Sequence, residues 1–396
     1  MFNTTEQRAD ETLLTPTLDE RNRQAFAKHL RQWVFGPARI AAARTYYNRV
    51  APAHAAQNAG APVPDRKAAR KALLKETEYQ FFSDLHRVSQ ELIWNSVTDT
   101  LDREAPQLRE QFRKLPAGAR ARKGSLQLNP ALEIPKYLRA MDTHCMPGSY
   151  YTDWTDDDLS NGALYDRGAF LYAPSGGPRG DGAGRASLAF FRSAMPGMTP
   201  QRILDIGCAT GGPLLPYAEA FPQAELHGVD VGAPLLRFGH LRAEKLGVPI
   251  HFLQADAAAT GYPDAHFDLI VSHIMFHETS AAAVPAILKE VHRILRPGGS
   301  FAFVDLPNVA LMPDMFQQVV FDGDAHYNNE HFWMRMHDLD WPAQFKRAGF
   351  AAEDVKSAFA PFQMFVPPTG ADPAGRWVPG PFGFFAVHAH KAAVSS

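Results

Sequence analysis

Two kinds of hydrophobic spacing divide the chain. In its first part the apolar positions recur at helical intervals: Phe26, Leu30, Trp33 and Val34 share a face behind Thr17-Leu-Asp-Glu20. That opening has the spacing of a capping box, which satisfies two backbone donors at a helix start. Gly36-Pro37 is expected to stop this helix. A second helical region opens near Asp65 and carries Phe81, Leu85, Val88 and Leu92 along one stripe, widened by Trp94, Val97 and Leu101. Pro52 to Pro64, rich in Ala, Gly and Pro, reads as the connection between the two. The basic run Arg120 to Lys123 reads as a solvated loop. From Pro130 to Pro200 the pattern is irregular, with Tyr150-Tyr151 and Trp154 ahead of three aspartates and a Gly-rich stretch from Ser175 to Gly184.

After Pro200 the period changes. Short β-rich runs alternate with helical ones: Ile203–Ile206, Pro213–Ala220, Leu226–Val229, Leu235–Leu246, Ile250–Leu253, Leu269–Ser272, Val284–Leu295 and Phe301–Val304. Such alternation predicts right-handed βαβ units and a doubly wound, mostly parallel sheet of the α/β class. The expected organisation is a helical N-terminal unit over 1–145, an irregular aromatic and Gly-rich connection over 146–200, and a sheet domain over 201–396.

Composition narrows the functional classes. A chain of 396 residues suggests about two to three domains. Its 40 basic and 42 acidic residues leave a net charge of −2, without the basic face of a dedicated nucleic-acid binder or the polybasic stretch of a membrane anchor. Two cysteines, Cys145 and Cys208, exclude a disulfide framework and a Cys-based zinc module. The polar start MFNTTEQRADE lacks the apolar core of a signal peptide, and no apolar run approaches the roughly twenty residues of a membrane span. The expectation is a cytoplasmic protein with neither nucleic-acid nor membrane partners.

The first strand of the sheet domain ends in Asp205-Ile-Gly-Cys-Ala-Thr-Gly-Gly-Pro. Gly207 and Gly211 let the chain turn tightly and a ligand approach the backbone, and Pro213 suits the first turn of the following helix. Asp230 closes the second strand, where a carboxylate can accept hydrogen bonds from both hydroxyls of a ribose. Ala209 interrupts the G-x-G-x-x-G pattern of dinucleotide binding, which disfavours a nicotinamide-dependent oxidoreductase.

The pattern D-x-G-x-A-x-G-G resembles motif I of the class I S-adenosylmethionine-dependent methyltransferases. Downstream, Phe252-Leu-Gln-Ala-Asp256, Phe267-Asp-Leu-Ile-Val-Ser272 and Leu295-Arg-Pro-Gly-Gly299 resemble three further motifs of that family, in order. The resemblance covers about 202–305, and Val355–Phe359 with Phe384–His388 fit the closing strand pair of a seven-stranded sheet. It implies S-adenosyl-L-methionine as cofactor. Asp205 and Gly207 would lie under its methionine part, Asp230 would hold the ribose, and Asp256 with the backbone of Ala257 would hold the adenine. Ala209, Gly211, Val231 and Ser272 complete the expected cofactor set. Cys208 is read as a small buried thiol in the turn.

Methyl transfer requires alignment of acceptor, methyl and sulfur with water excluded, and a hydroxyl acceptor also needs a proton removed. His277 follows the fourth strand of the family pattern directly. It is expected to be the base, with Glu278 orienting it, or else a pocket-lining or structural residue. His273 lies inside the strand and reads as structural or substrate-facing. Substrate contacts are expected from Phe276 and, within 306–341, from Phe316, His326, Tyr327, His331 and Trp333; the proline-rich stretch 361–381 would add another wall. Asp322, Asp324, His326 and His331 carry ligand chemistry, but no spacing among them demands a metal, and none is expected. The N-terminal helices would cap the site or form a homodimer interface. The resulting expectation is methyl transfer to a small organic acceptor, at oxygen. Its alternatives are nitrogen, sulfur or carbon acceptors and a non-catalytic S-adenosylmethionine-binding protein.

Overall fold

In the computed structural model, residues 13–115, 124–172, 179–306, 314–337, 339–361 and 383–393 are described. The start of the chain, the Arg120–Lys123 run, Met312 and most of 361–381 lie outside them.

The helical part begins at Leu18 and does not stop at Gly36-Pro37. Helices α1 (Leu18–Trp33), α2 (Arg39–Thr45) and α3 (Ala51–Gln57) run on through two single π turns, Val34–Ala38 and Tyr46–Val50. Pro37 sits inside the first of these. A widened turn takes up the proline ring and its missing N–H, which would break a regular helix. Thr17 and Glu20 form the expected capping box. Asp65 caps α4 (Arg66–Leu73), its Oδ1 accepting from the Ala68 N–H at 2.8 Å. The 37-residue α5 (Thr77–Arg113) then lies along α1.

The contact between α1 and α5 is not the one the apolar stripes suggest. Gln24, Ala27 and Arg31 of α1 and Val34 of the π turn after it face inward, whereas Phe26 is 64% exposed, and Phe81 and Val88 of α5 are about half exposed. Small and hydrogen-bonded side chains let the two helices meet closely. The Gln24 amide donates to Thr100 Oγ1 at 3.1 Å, and its carbonyl accepts from Arg167 Nε at 2.9 Å. Arg103 bridges to Glu20 at 2.7 Å. In α5 the expected Trp94, Val97 and Leu101 are buried, joined by Tyr79, Phe82 and Ile93.

The stretch expected to be irregular holds two helices, α6 (Ser160–Tyr172) and α7 (Gly182–Ala194). Helix α6 buries Asn161, Gly162, Ala163, Leu164, Arg167, Gly168 and Leu171, so it has no polar face and gives no periodic signal. Gly168 is pressed against Trp94, where an added Cβ would lie 2.1 Å from the ring.

The sheet has eight strands: β1 (Ser125–Gln127), β2 (Arg202–Ile206), β3 (Glu225–Asp230), β4 (Ile250–Gln254), β5 (Phe267–His273), β6 (Leu295–Asp305), β7 (Val355–Pro361) and β8 (Gly383–His390). Their order is β1-β4-β3-β2-β5-β6-β8-β7. The seven-stranded expectation is corrected by one short edge strand. β1, from the N-terminal half, pairs in parallel with β4, with Leu126 opposite Phe252. All pairs from β1 to β6 are parallel, and β8 runs antiparallel to both β6 and β7. Helices α8 (Leu215–Ala220), α9 (Ala233–Leu246) and α10 (Val284–Ile294) make the crossovers, followed by α11 (Met315–Tyr327), α12 (Trp333–His337) and α13 (Trp341–Ala348). Strand β5 is buried along its whole length, as a central parallel strand covered on both faces must be. The strand order reverses between β2 and β5, which puts the topological switch point beside Gly207.

Candidate active site

A cavity of about 730 Å³, including its open mouth, lies outside the carboxyl ends of the central strands. One side is built by strand ends: Gly207 and Ala209 after β2, Asp230 and Val231 after β3, Ala255 to Ala257 after β4, and His273 to Met275 after β5. The other side comes from Tyr137, Leu138, Tyr150 and Tyr165, which lie between β1 and β2 in sequence, and from Glu278.

The turn after β2 is wound by three left-handed residues, Gly207 (φ 70°), Ala209 (φ 46°) and Gly211 (φ 73°). At Gly207 an added Cβ would meet Met275 Sδ at 2.6 Å, so the bare backbone forms the cavity wall there. Ala209 is held in its strained conformation by its own N–H, which donates to Asp230 Oδ2 at 2.9 Å. Asp230 Oδ1 accepts from the Gly232 N–H at 2.9 Å. Each oxygen therefore keeps a lone pair for a ligand hydroxyl. Burial raises the Asp230 carboxyl to about 6 against those two backbone donors. Asp256 Oδ1 accepts from the Ala258 N–H at 2.8 Å, which fixes the loop after β4.

Across the cavity, the Tyr150 hydroxyl donates to Glu278 Oε1 at 2.6 Å. The same oxygen lies 2.8 Å from His144 Nε2 and 3.5 Å from His277 Nε2. His277 Nδ1 donates to Asp305 Oδ1 at 2.8 Å, and Asp305 Oδ2 accepts from the Phe276 N–H at 2.8 Å. His144 Nδ1 lies 2.8 Å from Glu330 Oε1, which also accepts from Asn328 Nδ2 at 2.9 Å. Burial works against charge on His144, but Glu330 and Glu278 outweigh it and raise its pKa to about 9. For His277 burial is likewise overcome, by Asp305 and Glu278, and its pKa is raised. Burial would raise Glu278, yet the two imidazoles hold it well below the usual carboxylate range.

Residues 203–299 match the family model for a methyltransferase domain. The chain carries a class I S-adenosylmethionine-dependent methyltransferase domain. It is 37% identical over 108 residues to a demethylmenaquinone methyltransferase of Thermus thermophilus, a match covering 27% of this chain and 48% of that protein. It is 32% identical over 127 residues to a fatty-acid O-methyltransferase of Mycolicibacterium smegmatis, covering 32% and 45%. The chain thus spans about half the length of these curated relatives. Among solved structures, a phosphoethanolamine-type N-methyltransferase of Haemonchus contortus matches with 17% identity and a TM-score of 0.41, covering 60% of each chain.

The cofactor of this methyltransferase domain is S-adenosylmethionine. The residues fit such a ligand, since a backbone cradle at Gly207, a carboxylate with free lone pairs at Asp230 and a carboxylate at Asp256 open onto one cavity. Of the expected cofactor set, Gly207, Ala209, Asp230, Val231, Asp256 and Ala257 line that cavity.

Three others do not line it. Asp205 is fully buried, its Oδ1 3.0 Å from His273 Nδ1. Gly211 faces Phe252, where its backbone packs against the ring. Ser272 donates its hydroxyl to the Ile206 carbonyl at 3.0 Å, a tie between β5 and β2 inside the sheet.

The acceptor side departs further from expectation. Glu278 and His273 line the cavity, but His277 is fully buried one side chain behind Glu278. His273 is tethered on both nitrogens, to Asp205 and to Ser187 Oγ at 2.7 Å. Phe276 packs with Phe303 and Trp341 in the sheet core, and Phe316 packs with Tyr46 and Tyr47 in the helical core. Trp333 is buried with its ring 6.0 Å from that of His277, Tyr327 lies against His86, and His326 and His331 are exposed. These apolar groups build the walls behind the site and do not line it. The groups that do, or that hold them, include Tyr137, Tyr165, His144 and Glu330. Of this segment, only the aromatic cluster at Tyr150 carried a sequence signal.

Proposed function

We propose that the chain transfers a methyl group to an oxygen, hydroxyl or carboxyl, of a small organic acceptor bound between the strand ends and the helical layer. The observation that carries this is the Tyr150–Glu278 pair, which faces the same cavity as Gly207 and Asp230. Similarity to a fatty-acid O-methyltransferase supports oxygen as the acceptor atom. S-adenosylmethionine, when bound, supplies a methyl group on a positively charged sulfur that is already a good leaving group.

The chain's own residues bind, align and take a proton. Asp230 receives the ribose hydroxyls, and Asp256 with the Ala257 backbone receives the adenine. Tyr137, Tyr150 and Tyr165 wall off the acceptor and exclude water, and the segment between β1 and β2 that carries them is the cap. An attacking oxygen becomes strongly acidic as its bond to carbon forms. Glu278 faces the cavity ionised, and although the imidazoles that lower its pKa weaken it as a base, the still greater acidity of the attacking oxygen lets it accept that proton in the transition state.

His277 acts through Glu278. Its buried ring, anchored to Asp305 and off the cavity wall, holds Glu278 in place and in charge, so it is a positioning residue and not the base. The test is turnover of methyl-labelled S-adenosylmethionine on a panel of hydroxy and carboxylic acids. Methylation at oxygen that falls sharply in Glu278→Gln is expected; product methylated only at nitrogen, sulfur or carbon would overturn the reading.

A further inference from the structure

Five side chains at the acceptor end of the cavity, three of them buried and two partly buried, are arranged as ligands and their supports. His277 donates Nδ1–H to Asp305, which leaves Nε2 directed at Glu278. His144 has its Nδ1 on Glu330, which leaves Nε2 directed at the same Glu278 oxygen. One donor atom from each of His144, His277 and Glu278 lies within 4.8 Å of the others. Among the described residues His277 Nε2 and Glu330 Oε2 have no hydrogen-bond partner, although both residues are almost completely buried. These two atoms face each other at 4.0 Å.

We propose that His144 Nε2, His277 Nε2 and Glu278 bind a divalent first-row transition-metal ion, with Glu330 Oε2 as a candidate fourth donor.

Three observations carry the assignment. Ligands about 2.0–2.2 Å from a tetrahedral ion stand roughly 3.3–3.6 Å apart; His277 Nε2 to Glu278 Oε1 measures 3.5 Å, and His144 Nε2, hydrogen-bonded to the same oxygen at 2.8 Å, would withdraw by about half an ångström to admit the ion. Metal-ligating histidines characteristically give their other ring nitrogen to a carboxylate, which fixes tautomer and orientation. His277 does so here, toward Asp305, and His144 Nδ1 stands 2.8 Å from Glu330 Oε1 as an ion pair. Finally, Asp305 and Glu330 are buried and Glu278 is partly buried beside the two imidazoles, and an ion sharing Glu278 and Glu330 would take over from protons on those imidazoles the charge the carboxylates need. Imidazole with carboxylate suits zinc, iron or manganese better than magnesium or calcium, which prefer oxygen donors alone. The backbone is bent to make the set: His144 adopts φ 57° and Cys145 φ 56°, a left-handed pair that turns the His144 ring inward. Trp94 Nε1 and Gln90 Nε2 clamp the His144 carbonyl in that turn at 2.7 and 2.9 Å.

The proposal goes beyond the methyl-transfer reading and does not depend on it, but it changes one role there: with the ion bound, Glu278 is a ligand and not a free base. The experiment is elemental analysis of the untagged full chain, followed by calorimetric titration of the chelator-stripped protein with Zn²⁺ and visible spectroscopy with Co²⁺. One equivalent of a first-row ion retained through gel filtration, or 1:1 uptake of Zn²⁺ with ligand-field bands for Co²⁺, is expected. His144→Asn or His277→Asn should weaken uptake at least a hundredfold, and Asp305→Asn about ten- to a hundredfold. No retained ion together with no saturable 1:1 uptake by the wild-type chain would overturn the proposal without recourse to any variant. So would uptake unchanged by both histidine substitutions, which would place the ion elsewhere. Binding of S-adenosylhomocysteine, measured on the same stripped protein, reports separately on the methyltransferase site.

Discussion

The Tyr150 hydroxyl and the Glu278 carboxylate meet at 2.6 Å across a cavity whose opposite wall is the Gly207 turn. Tyr150 lies between β1 and β2 in sequence, and Glu278 follows β5. The contact therefore joins the segment between β1 and β2 to the carboxyl ends of the central strands. If Glu278 takes the acceptor proton, Glu278→Gln should lower turnover by roughly a hundred- to ten-thousandfold. Tyr150→Phe should cost less, since a single hydrogen bond to a charged group contributes about 1.5–3 kcal/mol. S-adenosylhomocysteine affinity should stay within a fewfold in both. Steady-state kinetics beside calorimetry checks this; loss of cofactor affinity in Glu278→Gln would move Glu278 out of the acceptor side.

Asp230 makes cofactor binding depend on pH. Its pKa is raised by burial to about 6, above the ordinary value of about 3.9 for an aspartate. A carboxyl raised on folding adds stability that is complete below its unfolded pKa and lost as pH rises through the folded one. The free protein thus tolerates Asp230 best when it is protonated, whereas ribose hydroxyls donate to the charged form. Affinity for S-adenosylhomocysteine should be full above about pH 7 and decline below pH 6, by at most about tenfold per pH unit for one proton. Asp230→Asn should flatten the profile. A wild-type affinity constant from pH 7.5 to 5 would contradict this assignment.

Ala209 stores strain. A non-glycine residue at φ 46° costs roughly 1–2 kcal/mol, and glycine there would return about 0.5–1 of that through its larger unfolded-state entropy. Ala209→Gly should therefore raise stability in urea by roughly 0.5–1 kcal/mol while keeping the Asp230 contact. A lower stability would show that the alanine methyl packs favourably enough to offset its backbone.

The strand-end half of the site was legible in the sequence because its signals are local. Gly207, Asp230 and Asp256 each sit at the end of a short apolar run, and the parallel sheet brings such ends together automatically. His144 and Glu330 had no comparable signal. They lie in turns far apart in the chain and meet only through the packing of α5, α6 and α11. The helical faces misled for a related reason. Gln24, Ala27 and Arg31 face inward through hydrogen bonds and small size, so polarity along α1 did not mark its solvent side. Edge strand β1, three residues long, is shorter than any pattern can report.

Ser272 distinguishes the sheet's internal ties from its ligand contacts. Ser272→Ala should leave the buried Ile206 carbonyl without its donor, at a cost of about 1–3 kcal/mol in chemical denaturation. Cofactor affinity should change less than twofold; a tenfold loss would return Ser272 to the ligand.

The central claim is that the Gly207–Asp230–Asp256 half of the cavity holds S-adenosylmethionine. Calorimetric titration of the full chain with S-adenosylhomocysteine tests it most directly. One site with micromolar or tighter affinity is predicted, weakened about ten- to a hundredfold in Asp230→Ala without unfolding the protein. No detectable binding by the wild-type chain, or the same affinity in Asp230→Ala, would contradict it.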